Sequence, residues 1–179
     1  KHVKKAVPPF HLPGAVPFGR ALSEGAAAKL AAPPLTLEDI AFFQYTGGTT
    51  GVSKGAMLTH GNIVANLLQV SAWVGPGVEE GDETVIGALP LYHIFALTAS
   101  LCFMKLGANN VLIPNPRDMK GFVEELSKHP FSVLPGVNTL FNGLMNTPGF
   151  AQLDFSHLKV TLGGGMAVQR AVAERWREV

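Results

Sequence analysis

Residues 46–55 read TGGTTGVSKG, with three threonines, four glycines and one lysine in ten positions. Glycine admits positive φ and lets backbone come close to a ligand. A loop of backbone N–H groups, hydroxyls and one ammonium suits a polyphosphate. Lys54 would supply a point charge to phosphate, and Thr46, Thr49 and Thr50 would supply hydroxyl donors. The candidate nucleotide-binding set is Tyr45, Thr46, Gly47, Gly48, Thr49, Thr50, Gly51, Val52, Ser53, Lys54, Gly55 and Ala56. It is not a Walker A loop, in which Gly precedes the lysine and Ser or Thr follows it. Here Ser53 precedes Lys54 and Gly55 follows it. The plain alternative is a solvated Gly/Thr turn that binds nothing.

Two further stretches combine unusual residues with a position just after an apolar run. Residues 89–95 read LPLYHIF and carry Tyr92 and His93. A neutral imidazole can donate a hydrogen bond to a carboxylate oxygen; the alternative is a core histidine bonded to backbone. Residues 162–167 read LGGGMA, with Gly163, Gly164 and Gly165 consecutive. Three glycines imply that something packs closely there, or simply that a helix starts. His2, His11, His60, His129 and His157 have no metal-ligand spacing, so no metal site is expected among the side chains present. No Ser-His-Asp set and no carboxylate pair stands out.

These loops need elements to position them. Ile40–Tyr45 is an apolar run that reads as a strand, and Ala56–Leu58 as a second, short one. Thr59 can cap a following helix, with Ile63, Val64, Leu67, Leu68, Ser71 and Val74 on one face and Gly75-Pro76-Gly77 ending it. Strands are expected at 84–89, 110–113, 131–134 and 159–162. Helices are expected at 94–106, 117–128 (Phe122, Val123 and Leu126 inward), 138–145 and 168–179. Residues 1–39 form a loop-rich lead-in with a short helix near 22–30, and 40–179 a β/α core. Strands alternating with helices of ten to fifteen residues predict an α/β fold, a mostly parallel sheet with helices on both faces. In such sheets ligands lie outside the carboxyl ends of the strands. All three unusual loops are expected there.

Composition narrows the classes. The 179 residues are 47% hydrophobic and 15% charged, which suits a packed core and excludes a disordered tail. Lys plus Arg number 14 against 13 for Asp plus Glu, so there is no electrostatic footprint for nucleic acid. Cys102 is the only cysteine, which fits a reducing, cytoplasmic setting. Residues 84–104 lack Asp, Glu, Lys and Arg. Pro90, Tyr92 and His93 interrupt them, and they read as strand, loop and helix in preference to a membrane span. Peripheral association with the inner membrane, and a homodimer, are left open.

Tyr45–Gly55 resembles the phosphate-loop signature of the adenylate-forming (AMP-binding) enzymes, Tyr-Thr-Ser-Gly-Thr-Thr-Gly-x-Pro-Lys-Gly. Gly47 stands in place of the commoner Ser, and Ser53 in place of the commoner Pro. The Thr-Gly-Gly-Thr-Thr-Gly form is most similar to bacterial long-chain fatty-acid–CoA ligases. The resemblance extends over nearly the whole chain, with the three motifs in family order. It implies ATP, Mg2+ and coenzyme A as the small molecules used and a long-chain fatty acid as acyl substrate. Lys54 would then act on phosphate and His93 beside the carboxylate. Gly163–Gly165 would lie against adenine, and Tyr92, His93, Gly136 and Val137 would line the acyl site. It further implies that a magnesium-binding Glu, a ribose-binding Asp and a C-terminal domain with a catalytic lysine would follow Val179. On that expectation the chain is an internal fragment of the N-terminal domain, not a competent ligase alone. The alternatives are a non-catalytic nucleotide- or acyl-binding module, a ligase for another carboxylic acid, or a P-loop NTPase.

Overall fold

The sheet that organises the chain is built from Val- and Leu-rich strands whose alternate residues enter two different cores. The structure, a computed structural model, describes residues 11–46 and 53–179. Lys1–Leu35 and Thr36–Val179 separate into two units. In the first, α1 (Phe18–Ala26) begins directly after Pro17 and buries none of its residues. It starts before the expected 22–30, with Pro17 as its non-helical N-cap.

In the second unit, β3 (Thr84–Gly87), β4 (Asn109–Leu112), β5 (Val133–Gly136) and β6 (Val160–Gly163) form a parallel sheet of order β4-β3-β5-β6. Val85 and Val133 point to one face and pack with Phe103 of α3 (Ile94–Lys105). Ile86 and Leu134, one residue on in each strand, point to the other. There they meet α4 (Met119–Leu126) and α5 (Asn138–Met145), through Phe122, Val123, Leu126, Leu140 and Leu144. Val172 and Trp176 of α6 (Arg170–Trp176) join the same cluster. Both faces of the sheet are therefore helix-covered, as the parallel arrangement requires.

The phosphate-type loop does not follow a strand of this sheet, contrary to expectation. β1 (Ile40–Thr46) and β2 (Lys54–Thr59) pair antiparallel as a separate two-stranded sheet, with Tyr45 opposite Gly55 and Thr46 opposite Lys54. The reason is length: parallel pairing needs a crossover of about a dozen residues or more, and the connection from Thr46 to Lys54 is shorter. Residues 47–52 lie outside the described part, so the roles expected of Gly47, Gly48, Thr49, Thr50, Gly51 and Val52 have no structural counterpart to report.

Capping fixes the helix starts. The Thr59 hydroxyl accepts from Asn62 N (3.2 Å) while Asn62 Oδ1 accepts from Thr59 N (3.0 Å), so α2 (His60–Val74) opens with a reciprocal box. Ile63, Leu67 and Val74 turn inward, but Val64 and Leu68 of the expected face are exposed. Asp118 caps α4 through Gly121 N at 3.1 Å, which moves its start two residues beyond the expected Arg117. β5 also runs later than expected, 133–136 in place of 131–134. Among the described residues, no helix is long and apolar enough to cross a membrane.

Candidate functional site

Three backbone turns converge at the carboxyl ends of β3, β5 and β6. After β3, His93 N donates to Pro90 O at 2.9 Å and closes a turn that leads into α3. His93 is not a core histidine. It is exposed and stands at the N-cap of α3, where its Nδ1 accepts from Phe95 N at 3.2 Å. An Nδ1 that accepts must be unprotonated, so in the neutral ring the proton resides on Nε2. That N–H is a donor directed away from the helix backbone.

After β6, Gly164 N donates to Gly136 O at 3.1 Å, which ties the glycine turn to the end of β5. Gly164 has no room for a side chain. A Cβ there would lie 2.6–2.8 Å from three atoms of the Phe95 ring. Gly165 has φ +76°, a conformation that L side chains rarely adopt. Packing thus favours glycine at 164 and backbone conformation favours it at 165. The space expected beside Gly136 is also filled, since a Cβ there would meet the Phe141 ring at 2.6 Å. Val137 sits at the N-cap of α5, and next to it the buried Asn138 accepts from Gln169 N at 2.8 Å through Oδ1.

The hairpin reaches the same region. Gln44 Nε2 donates to the carbonyl oxygen of Tyr92 at 3.1 Å. Tyr92 itself is 82% exposed. A cleft of about 250 Å3 lies between hairpin and loop, lined by Phe42, Phe43, Gln44, Tyr45, Leu91, Tyr92 and Leu97. Tyr45 lays its ring over Gly55, whose added Cβ would come within 3.4 Å of it. Lys54 opens β2 with its side chain exposed, and its carbonyl accepts from the Thr46 hydroxyl at 3.4 Å. A second, more apolar cleft of about 330 Å3 flanks β6, bounded by Phe141, Gly163, Val168, Val172 and Trp176.

The structure therefore brings together the ends of the hairpin, the His93 loop, Gly136–Val137 and Gly163–Gly165. Gln44, Phe95 and Asn138 were not among the sequence candidates. Gln44 did carry a signal, as the polar interruption in the apolar run from Ile40 to Tyr45. Among the described residues, no group of three or more His, Cys, Asp or Glu side chains could hold a metal ion.

The geometry can be set beside known proteins. A long-chain-fatty-acid–CoA ligase of Escherichia coli O6:H1 is 58% identical over 177 residues, covering 98% of this chain and 32% of its own length. The N-terminal domain of FACL13 from Mycobacterium tuberculosis, solved with an inhibitor, superposes with a TM-score of 0.70 over 88% of this chain and 39% of its own, at 24% identity. O-succinylbenzoate coenzyme A synthetase from Bacillus subtilis, solved with AMP, gives 0.63 over 80% and 28%, at 26% identity. The chain spans about a third of the length of the curated relatives it matches. The family model for AMP-binding enzymes matches residues 6–179, nearly the whole chain and every loop just described, so the chain belongs to the AMP-binding enzyme family.

Proposed function

We propose that this chain supplies the phosphate hairpin and the carboxylate-facing loop of a long-chain fatty-acid–CoA ligase. What carries the proposal is the convergence of hairpin and His93 loop, made by the 3.1 Å hydrogen bond from Gln44 to the Tyr92 carbonyl. Support comes from the E. coli relative named as such a ligase and from the solved synthetase holding AMP.

The reaction has two halves. A carboxylate oxygen attacks the α-phosphorus of ATP, the bond from that phosphorus to the bridging oxygen breaks, and pyrophosphate leaves. Coenzyme A thiolate then attacks the acyl carbonyl and AMP leaves. In the first half, Lys54 would neutralise phosphate charge while loop N–H groups from Tyr45–Ala56 hold the polyphosphate. His93 would donate its Nε2 proton in a hydrogen bond to the carboxylate and orient it. The Gly163–Gly165 turn would lie against the base, and Tyr92 and Val137 would border the acyl chain, with Gly136 closed off by the Phe141 ring. Magnesium would add further positive charge for the phosphates, but among the described residues no His, Cys, Asp and Glu cluster would hold it. A cytoplasmic location suits the free, buried Cys102.

The test is fatty-acid-dependent exchange of pyrophosphate into ATP by the full-length protein. Exchange supported by long-chain acids is expected. Nucleotide binding without exchange, for any carboxylic acid, would instead assign a binding module.

A further inference from the structure

We propose that Gln44 is a positioning residue that holds the phosphate hairpin in register with the His93 loop while carboxylate and ATP react. The clamp rests on the ligase reading above and goes beyond it, since Gln44 lies outside the phosphate-loop signature and contacts no reacting atom. Its Nε2 donates to Tyr92 O at 3.1 Å and lies 3.4 Å from Tyr45 O. One side chain thus binds backbone on both motifs, one residue before His93 and one before Thr46. Among the described residues, no other hydrogen bond joins β1 or β2 to the parallel sheet or its loops. Elsewhere the His93 loop is braced by packing, with Phe95 against Gly164. Gln44 itself is half-buried, and Phe42, Phe43 and Tyr92 line the cleft beside it.

The physical consequence is specific to one half-reaction. In adenylation, ATP and the carboxylate are separate molecules held by different motifs, so their approach depends on how firmly those motifs are fixed relative to one another. In thioester formation, acyl group and nucleotide are already one molecule, and the clamp has nothing left to align.

The experiment uses the full-length protein with Gln44→Met, which keeps length and volume but has no donor, and Gln44→Glu, which turns an acceptor toward the carbonyl. Fatty-acid-dependent ATP–pyrophosphate exchange should lose about three- to tenfold in kcat for Gln44→Met, the worth of one neutral hydrogen bond, and more for Gln44→Glu. The KM for ATP, the melting temperature and the release of acyl-CoA from separately supplied acyl-adenylate should stay as in the parent. Equal losses in both half-reactions with a lowered melting temperature would make Gln44 merely structural and overturn the clamp. Unaltered exchange in both variants would overturn it too, while leaving the ligase reading standing. A parent protein without exchange would instead remove the ligase reading, and the clamp with it. Should Gln44→Glu fail to fold, Gln44→Met decides.

Discussion

Lys159 Nζ lies 3.0 Å from Oε1 of Glu83, across 76 residues of sequence, and Glu83 is 1% exposed. The same oxygen accepts from Glu79 N at 2.6 Å. The pair joins the residue before β3 to the residue before β6, at the amino ends of the strands, whereas the candidate site lies at their carboxyl ends. Lys159 keeps about a third of its side chain exposed, so the loss falls on the buried Glu83 carboxylate, whose charge-assisted hydrogen bonds Gln would replace with neutral ones. Glu83→Gln should therefore destabilise the protein by about 1–3 kcal/mol, read by chemical denaturation, with the exchange kinetics of the folded fraction unchanged.

The same pair sets a pH dependence. Burial pushes the Glu83 carboxyl up, but the Ser132 hydroxyl, the Glu79 N–H and Lys159 outweigh it and hold the group below the ordinary value of 4.5. Its hydrogen bond to Glu83, against a smaller effect of burial, holds Lys159 above its ordinary 10.5. A lowered carboxyl contributes stability that is present above 4.5 and lost as pH falls through the folded-state value. A raised ammonium contributes stability present below 10.5 and lost as pH rises through its own. Denaturation midpoints from pH 3 to 6 should fall on the acid side less steeply in Glu83→Gln than in the parent. Parallel profiles would show that the pair contributes nothing to acid stability.

The Phe95 ring over Gly164 yields a paired test. A methyl at Gly164 would sit 2.6 Å from the ring, too close for any real contact, and overpacking of this kind costs about 1–3 kcal/mol. Gly164→Ala should lower stability by that amount, and adding Phe95→Ala should recover part of the loss. Purely additive losses in the double-mutant cycle would show that the two residues do not meet.

Element order was readable because each element from β3 onward carries its own local signal. The strand expected at 84–89 appears at 84–87, and the inward triplet Phe122, Val123 and Leu126 and the helix at 138–145 appear in place. Thr59 and the Gly75–Gly77 turn bound α2 as their chemistry dictates. What local pattern could not convey was partner choice. Ile40–Thr46 reads as a strand either way, and only pairing with Lys54–Thr59 takes it out of the parallel sheet. The three loops were visible as Gly-, Thr- and His-bearing interruptions. Their braces were not, because Gln44 to Tyr92 and Phe95 to Gly164 are contacts across 48 and 69 residues that no periodicity encodes.

Lys54 is where charge on the hairpin can be removed with little structural cost. Its side chain is exposed and its pairing with Thr46 is through backbone. Lys54→Ala in the full-length protein should keep its melting temperature and lose one to two decades of ATP–pyrophosphate exchange, about the worth of a charge-assisted contact. Exchange at the parent rate would remove Lys54 from the phosphate site.

His93 has two jobs to separate. As N-cap of α3 it accepts from Phe95 N, and loss of a cap costs about 0.5–2 kcal/mol. As carboxylate partner it would act through Nε2. His93→Ala removes both roles and should lower stability as well as adenylation. His93→Asn retains a side-chain acceptor of the kind favoured at N-caps but cannot extend the second donor along the imidazole axis. Asn at this position should therefore restore the melting temperature while leaving exchange depressed by about tenfold or more, within the range of positioned hydrogen-bond donors. ATP affinity, measured by calorimetry without fatty acid, should match the parent in both variants. If Asn restores exchange along with stability, the imidazole is a helix cap and nothing more, and the carboxylate must be oriented by another group.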